Sequence, residues 1–269
     1  MLELINKVKE INPLVLHYTN EVTINDCANI TLALGASPLM SYSNEEVEEV
    51  VSIASSVVIN IGTMNSNRLD LFVKAGKAAN KFNKPVILDP VGVFATKTRT
   101  DFTNKLLNKI KFDVVKGNVA EIKFIGGLDV RGQGVDSFDD GEDISEVIKK
   151  VAKKLGCIVV ATGKVDFISD GNTVIKIFNG TSKLKSVTGT GCMTGSLIGS
   201  YLGAYNSLEG RERDNFKKVE VVAMGVLTMA VSGELADKDN IAIGTFKEEL
   251  MNNVYEMNID KLKEYGRIE

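Results

Sequence analysis

Residues 186–195 combine glycines, hydroxyl side chains and a cysteine immediately before a helical pattern of apolar residues. Gly189 and Gly191 flank Thr190, and Cys192 follows within the first turn of that predicted helix. Glycine lets a backbone approach a ligand closely, and a helix start offers unpaired N–H groups and positive dipole character. The stretch therefore predicts an anion site, with a thiolate stabilised at Cys192. A glycine-rich turn that opens an ordinary buried helix is an equally good interpretation of the motif alone.

Two familiar phosphate motifs do not match this stretch. A Walker A loop places lysine and then serine or threonine after its last glycine, whereas Gly195 is followed directly by Ser196. A dinucleotide fingerprint needs a third glycine where Thr194 stands, and a buried strand directly before it. Residues 181–185 do not have the pattern of such a strand.

The predicted helix also carries a regular stripe of glycine. Glycine recurs every four residues, at positions 191, 195, 199 and 203. Each interior glycine costs roughly 0.8–1 kcal/mol relative to alanine. We therefore expect this stripe to pack closely against another backbone.

The elements that must position this stretch are strands alternating with helices. Strands are expected at 14–17, 38–40, 57–61, 85–88, 113–115, 157–161, 167–169 and 173–177. Helices are expected at about 3–11, 24–34, 44–54, 66–82, 101–110, 143–155, 190–205, 212–236 and 245–257, and residues 126–141 are expected to form a loop. The alternation predicts an α/β fold with three layers, in which helices cover both faces of a mostly parallel central sheet. Asp170-Gly171-Asn172 predicts a hairpin and hence an antiparallel edge. The chain has no linker-like stretch, so we expect one domain over residues 1–269.

Ligands of such sheets bind beyond the carboxyl ends of the strands, so the residues that follow each apolar run are the best candidates. Asp89 could be a carboxylate on the Mg²⁺ side of a site or a turn aspartate before Pro90. Glu121 could join it or could complete a capping box with Asn118. Because the predicted sheet brings these acids to one edge with Lys116, the sequence indicates phosphoryl transfer.

Two other strand ends allow a functional and a structural interpretation. Thr162, followed by glycine, suits a nucleotide contact or a plain turn. His17 is the only histidine in the chain. A single histidine beside an apolar strand is more often a hydrogen-bonded packing residue than a catalytic one, and we expect the packing role here.

The composition excludes several classes of protein. A hydrophobic content of 44% and a charged content of 25% are typical of a globular protein with a core, and a net charge of −3 argues against a nucleic-acid partner. Cys27, Cys157 and Cys192 are widely spaced, so neither a zinc framework nor a disulfide scaffold is expected. The start of the chain does not have the pattern of a signal peptide, and the longest apolar run, 221–231, is too short to span a bilayer. We expect a cytoplasmic protein with no membrane partner.

Short motifs in a fixed order carry a family resemblance over roughly residues 10–250. They are Thr19-Asn20-Glu21-Val22-Thr23, Ala28-Asn29, Leu34 to Met40, Asn60-Ile61-Gly62-Thr63, Leu88 to Gly92, Gly117 to Glu121, Gly134-Val135-Asp136-Ser137 and Val187 to Cys192. In these motifs the chain resembles hydroxyethylthiazole kinases of the ribokinase-like superfamily. The resemblance implies phosphorylation of the primary hydroxyl of 4-methyl-5-(2-hydroxyethyl)thiazole by ATP with Mg²⁺, in thiamine salvage. It also implies a homotrimer with sites shared between neighbouring subunits.

The resemblance also implies roles for single residues. Thiazole contacts carry over to Met40 and Gly189, with Asn20 nearby. ATP contacts carry over to Lys116 and Thr162, and Mg²⁺-side acids to Asp89 and Glu121. The segment from Gly189 through Thr190 and Gly191 to Cys192 matches the family's anion hole, and Cys192 stands where related sugar kinases place an aspartate base.

The chain departs from the family pattern at two positions. Lys116 stands where the family usually has arginine, and lysine keeps the charge but lacks the planar fork, so the change bears on nucleotide affinity. Lys164 stands where an acid is frequent, and nothing in the sequence explains that change.

Three other functions remain open at this point. Hydroxymethylpyrimidine kinases and nucleotide-dependent dehydratases of damaged NAD(P)H share the fold but usually carry aspartate where Cys192 stands. A non-catalytic thiazole or nucleotide sensor is the alternative from another class. The joint presence of Asp89, Glu121 and the intact turn argues against it.

Overall fold

A computed structural model of the chain describes residues 1–128, 143–237 and 241–269. Its centre is a sheet of eight strands within the described residues. The strands are β1 Leu14–Tyr18, β2 Ser37–Met40, β3 Ser56–Asn60, β4 Val86–Asp89, β5 Val114–Asn118, β6 Ile158–Thr162, β7 Asp166–Ser169 and β8 Val174–Ile177. Their spatial order is β2-β1-β3-β4-β5-β6-β7-β8, with parallel pairing from β2 to β6 and antiparallel pairing from β6 to β8. This arrangement confirms the predicted mostly parallel sheet with an antiparallel edge.

Helices lie on both faces of this sheet. They are α1 Leu4–Ile11, α2 Ile24–Leu34, α3 Val47–Ile53, α4 Arg68–Lys81, α5 Lys97–Lys109, α6 Val119–Gly126, α7 Ile144–Leu155, α8 Thr190–Ser207, α9 Gly210–Asp214, α10 Lys218–Ala236, α11 Ile243–Tyr255 and α12 Ile259–Tyr265, with a 3₁₀ turn at Ser182–Ser186. The buried side chains form two clusters, one with α3 to α7 and the other with α1, α2, α8 and α10 to α12. Successive strand residues such as Val57 and Val58 belong to opposite clusters, because side chains alternate across a sheet. The three-layer α/β/α fold is thus confirmed.

Several predicted helix ends differ from the structure. The helix expected at about 44–54 begins at Val47, because Ser43 and Asn44 do not cap it and the Ser43 hydroxyl instead donates to Glu45, 2.8 Å away. Helix α5 begins at Lys97, where the Thr96 hydroxyl accepts the N–H of Arg99 at 3.2 Å. This cap was not recognised in the sequence.

The structure also differs from the prediction in the number and extent of its helical and loop segments. The segment 212–236 divides into α9 and α10, and α12 extends the helical part beyond residue 257. The predicted loop 126–141 was wrong at Gly126, which ends α6, and its residues 129–141 lie outside the described part of the chain.

The glycine stripe of α8 lets this helix lie directly on the sheet. A Cβ on Gly199 would stand 2.9 Å from Val58 Cγ2 and 3.0 Å from Val15 Cγ1, and one on Gly203 would stand 3.1 Å from Pro13 Cβ. Contacts under 3.0 Å are not tolerated by real Cβ atoms. The stripe therefore packs against side chains of the sheet, whereas we expected it to pack against another backbone.

Contact between two backbones occurs where α10 crosses α8. A Cβ on Gly225 of α10 would lie 2.7 Å from both the N and the Cα of Ile198 in α8. Helix α10 is also, among the described residues, the one helix long and apolar enough to cross a membrane by length and composition. Most of this helix is buried against the rest of the chain, so its place in the core also explains its apolar composition.

The crossing of α8 and α10 predicts the effect of one methyl group. Gly225→Ala forces the two helices apart, and we expect it to lower the free energy of unfolding by about 1–3 kcal/mol, as overpacking does. Gly244→Ala is the matched control, because that helical glycine is exposed and an added Cβ meets no atom within 4 Å. Urea unfolding of both variants measures the difference, and equal stabilities would refute the assigned contact.

Candidate active site

The predicted site residues lie along the carboxyl ends of the parallel strands. Strand β1 pairs with β2 on one side and β3 on the other, so the chain reverses its direction of winding there, and ligands of open α/β sheets bind at such points. Asn60 and Asp89 end β3 and β4, and Lys116 lies in β5 near its end. The sheet thereby brings together side chains that are far apart in the sequence.

Helix α8 begins directly above these strand ends. Gly189 adopts φ +90°, and a Cβ there would lie 2.5 Å from Thr23 Cγ2, so that both conformation and space require glycine. The N–H of Met193 makes the first helical bond, to the carbonyl of Gly189 at 2.8 Å. The N–H groups of residues 190–192 therefore lie at the open start of the helix, as an anion site requires. The Thr190 hydroxyl donates to the Leu184 carbonyl at 2.8 Å and so fixes this start.

A buried ion pair joins two strands to the helix start. Lys116 Nζ lies 3.5 Å from Asp89 Oδ2 and donates to the Gly191 carbonyl at 2.9 Å. Both side chains are at most 5% exposed. Burial raises the pKa of the Asp89 carboxyl, with Lys116 and Asn60 opposing that rise. Burial also works against the charge of Lys116, but the adjacent acids, Asp89 first, outweigh it and raise the pKa of the ammonium group. Lys116 therefore keeps its positive charge.

The thiol of Cys192 lies beside this pair. Asn20 Nδ2 and Asn60 Nδ2 donate to its sulfur at 3.3 and 3.2 Å. Burial, followed by the nearby Asp89, raises the pKa of the thiol, with Lys116 opposing. With its pKa raised, the thiol is mostly protonated at pH 7, which differs from the thiolate expected at this helix start.

Glu121 completes the capping box that the sequence suggested. Its Oε2 accepts the N–H of Asn118 at 2.8 Å, and its own N–H donates to Asn118 Oδ1 at 2.8 Å. Its Oε1 also accepts the N–H of Gly92 at 2.8 Å, which ties the loop after β4 to α6. Burial and the negative charge of Asp89 raise the pKa of this carboxyl. Glu121 therefore has a structural role and still lies within electrostatic reach of Asp89.

Two of the predicted residues lie towards opposite sides of this cluster. Thr162 ends β6, and its hydroxyl donates to the Gly117 carbonyl at 3.3 Å. Met40 ends the edge strand β2, opposite His17 in the register, and is half-buried. Met40 thus lies one strand beyond β1, at the open edge of the sheet.

Two buried polar residues were missed as site residues in the sequence. Asn60 appeared there only as part of a family motif, yet it contacts both Asp89 and Cys192. Asp166 accepts the N–H of Gly163 at 2.9 Å beside Thr162, and burial raises its pKa to about 7. An aspartate three residues after a glycine in a predicted turn was the available signal for Asp166.

His17 is a packing residue, as the sequence indicated. It is fully buried, with Nδ1 3.0 Å from the Val15 carbonyl and Nε2 3.0 Å from the Ser196 hydroxyl. Since a carbonyl can only accept, Nδ1 donates its hydrogen and Nε2 accepts from the serine. Burial lowers the pKa of this imidazole to about 4, so it is neutral at pH 7. The ring joins β1 to α8.

Comparisons with known proteins agree with each other. A sequence model described as "Hydroxyethylthiazole kinase family" matches residues 5–260. The chain is 64% identical over 269 residues to a hydroxyethylthiazole kinase of Clostridioides difficile, covering 100% of this chain and 99% of that one. The structure of a hydroxyethylthiazole kinase protein from Pyrococcus horikoshii OT3 is 33% identical, with a TM-score of 0.85 over 100% of this chain and 97% of that one. A ribokinase-like superfamily protein from Enterococcus faecalis is 14% identical with a TM-score of 0.62, over 90% and 86%, and shares the fold.

The neutral, buried His17 predicts how stability depends on pH. Because its pKa is about 4 in the folded chain and an ordinary histidine has a pKa of 6.5, the unfolded chain binds more protons between those values. Its contribution is fully present above pH 6.5 and is lost as the pH falls towards 4. Between pH 7 and pH 5 we expect the free energy of unfolding to fall by about 2 kcal/mol because of this histidine.

The comparison of wild type with His17→Gln isolates this contribution. The variant lacks the titrating ring, so the difference in unfolding free energy between the two proteins should shrink by that amount over the same pH range. Urea unfolding at pH 7, 6 and 5 provides the measurement. Parallel pH profiles would show that His17 is not the neutral buried group described.

Proposed function

Since the chain belongs to the hydroxyethylthiazole kinase family, we propose that it transfers the γ-phosphoryl group of ATP to the primary hydroxyl of 4-methyl-5-(2-hydroxyethyl)thiazole, a step of thiamine salvage. The observation that carries the proposal is the convergence of Lys116, Asp89 and Cys192 beneath the start of α8. Phosphoryl transfer depends mainly on positioning and on neutralising charge. This cluster supplies a fixed cation, an acid and open N–H groups in one place.

On the nucleotide side, Lys116 and the backbone of Thr190 and Gly191 receive phosphate oxygens. The charge of Lys116 is retained in the buried pair, and the three N–H groups at the start of α8 can donate to an anion. Thr162, at the end of the neighbouring β6, adds a contact to ATP. Together these groups stabilise the negative charge that moves from the γ-phosphate to the leaving ADP.

Asp89 and Glu121 would hold Mg²⁺. Carboxylate oxygens suit this cation, which usually takes one or two of them together with phosphate oxygens and water. Both side chains are buried at the same edge, and the negative charge of Asp89 raises the pKa of Glu121. A cation between the two carboxylates would relieve this repulsion. Among the described residues no group of three or more histidine, cysteine or acidic side chains converges, which fits a metal held partly by the substrate's phosphates. The bound metal would neutralise charge on those phosphates.

On the alcohol side, Asn20, Gly189 and Met40 receive the thiazole. Asn20 Nδ2 donates to the sulfur of Cys192, and Gly189 precedes the helix turn that carries this thiol. In this proposal the thiol lies beside the hydroxyl that attacks. Because its raised pKa leaves the thiol mostly protonated at pH 7, only its small thiolate fraction can accept a proton. We therefore assign Cys192 the role of a weak general base: the thiolate takes the hydroxyl proton as the hydroxyl oxygen bonds to the γ-phosphorus and the bond to ADP breaks.

Met40 completes the site from the open edge of the sheet, and a neighbouring subunit would cover it. The half-buried β2 and the exposed apolar side chains of Val22 and Leu32 near this edge support a homotrimer with sites between subunits. Light scattering that finds an active monomer would exclude this assembly. We further propose that each subunit is one domain over residues 1–269 and works in the cytoplasm, where both substrates are available.

The function is tested by ADP release with Mg²⁺ and ATP on three alcohols: the thiazole alcohol, hydroxymethylpyrimidine and pyridoxal. We expect kcat/KM to be at least about tenfold higher for the thiazole, a difference that a shaped pocket can supply. 4,5-Dimethylthiazole, which lacks the hydroxyl, is the control for ATP hydrolysis without transfer. A higher value for either other alcohol, or turnover of NAD(P)H hydrate in its place, would reassign the enzyme. Binding of the thiazole without ADP release would indicate a sensor.

The role of Cys192 is tested by two variants. Cys192→Ala removes the weak base, and we expect kcat to fall by about 10²-fold, the lower end for a positioned base, while KM for the thiazole changes little. Cys192→Asp should keep or raise kcat, because a carboxylate is ionised at pH 7 and can accept a proton, whereas the thiol is mostly protonated at that pH.

Cys157→Ala is the control for these variants, because that cysteine precedes β6 at the opposite end of the sheet. Steady-state kinetics should give it the wild-type kcat. If Cys192→Ala also matches wild type, Cys192 is only a small residue that suits the turn.

A further inference from the structure

The side chain of Asn60 makes every hydrogen bond that an amide can make. Its Oδ1 accepts the N–H of Gly62 at 2.8 Å and Asn20 Nδ2 at 3.0 Å. Its Nδ2 donates to Asp89 Oδ2 at 2.9 Å and to Cys192 Sγ at 3.2 Å. The side chain is 2% exposed. A buried amide with four partners has one orientation, and its partners are held with it.

The backbone decides which end of this amide faces the site. The N–H of Gly62 can only donate, so the amide oxygen must face it and the NH₂ group must face Asp89 and Cys192. Residue 62 must itself be a glycine, because a Cβ there would lie 2.9 Å from Asn20 Cβ. The turn after β3 therefore orients the donor half of Asn60 towards the two reacting-site residues.

This orientation gives the two carboxylate oxygens of Asp89 different hydrogen-bond partners. Asn60 Nδ2 and Lys116 Nζ both contact Oδ2, at 2.9 and 3.5 Å. Within the described residues no side-chain donor contacts Oδ1, so it is the oxygen available to a cation. Asn60 also donates to the sulfur of Cys192 and so holds the thiol beside Asp89.

We propose that Asn60 is a positioning residue for the transfer reaction, which sets the carboxylate of Asp89 and the sulfur of Cys192 in one fixed geometry through the two hydrogens of its amide. It touches neither substrate in this role and acts only through those two side chains. The inference rests on the proposed kinase function, since the positioning effect is measured as a change in kcat of that reaction. A misplacement of about 1 Å in such a site can lower the rate by about 10²-fold.

The decisive variant is Asn60→Asp. It is close to isosteric and keeps an acceptor for Gly62 and Asn20, but it replaces both donated hydrogens by an oxygen beside Asp89 Oδ2. We expect kcat to fall by about 10–10²-fold, with KM for ATP and for the thiazole each within about threefold of wild type. Asn60→Ser, which can still donate one hydrogen and adds no charge, should lose less kcat than Asn60→Asp.

Asn179 offers a matched control elsewhere in the fold. It is 3% exposed, its Nδ2 donates to Glu234 Oε2 at 2.7 Å and to the Tyr265 carbonyl at 2.8 Å, and its Oδ1 accepts the N–H of Arg267 at 2.6 Å. Asn179→Asp therefore makes the same exchange of an amide for a carboxylate beside another acid. We expect it to lower Tm while kcat stays within about twofold of wild type.

The outcomes separate this inference from the proposed function. If wild type phosphorylates none of the alcohols, the function fails and Asn60 has no reaction to position. If wild type is active and folded Asn60→Asp matches its kcat, the function stands and the positioning role is overturned. Equal losses of kcat in Asn60→Asp and Asn179→Asp would also overturn it, because the effect would then be one of stability. Should Asn60→Asp not fold, the same comparison is made with Asn60→Ser, and a wild-type kcat in that variant overturns the role.

Discussion

The close approach of α8 to the sheet is the constraint on which the rest of this structure depends. The glycine stripe lets the helix axis lie directly over β1 and β3, within contact distance of Val15 and Val58. His17 and Ser56 add polar contacts along the same interface, the latter by donating to the Gly199 carbonyl at 2.7 Å. Because a helix is stiff, this fixed line of contact also fixes where its first turn lies. The start of α8 is thereby held above the ends of β4 and β5.

That position makes the buried charge of Lys116 possible. A single buried ammonium group is costly unless it is paired and hydrogen-bonded. Asp89 supplies the opposite charge and the Gly191 carbonyl supplies an acceptor, and the second partner exists only because α8 begins here. Replacing such a pair by apolar residues is often neutral for stability, so the pair is weak evidence of a stabilising role. The pair lies beside an open helix start, and this arrangement suits the chemistry of an anion site.

The sequence predicted more of the fold than of the site's electrostatics. Seven of the eight strands of the described residues were predicted within one residue at each end, and β5 continues three residues beyond its predicted end. The agreement arises because a buried strand is a short apolar run between turn residues. Helix α6 was missed although its capping box was recognised, because the capping box was interpreted without the helix that follows it. The residues around this capping box gave no other indication of a helix.

What could not be predicted depends on distances between residues far apart in the chain. The grouping of Asp89 with Lys116 followed from parallel strands, whose carboxyl ends meet at one edge, whereas the place of Cys192 beside them was expected from the helix start and the family resemblance. The direction of the pKa shift at Cys192 was not predicted, because it is decided by burial and by Asp89, 103 positions earlier in the printed sequence. Likewise, the four bonds of Asn60 join residues from three strand ends and a helix, and no local pattern records them.

The neutral thiol and the fixed cation together indicate how the work of the reaction is divided. In a loose transition state for phosphoryl transfer the attacking hydroxyl has lost little of its proton, so a strong base gains little. Negative charge on the transferred group and the leaving nucleotide is the larger demand, and preorganised donors meet it without further rearrangement. In the proposed reaction Lys116 and the start of α8 would be such donors, because packing on the sheet fixes them before any substrate binds. A weak base at Cys192 is therefore consistent with a site whose rate depends mainly on geometry, and geometry is what Asn60 and the glycine stripe determine.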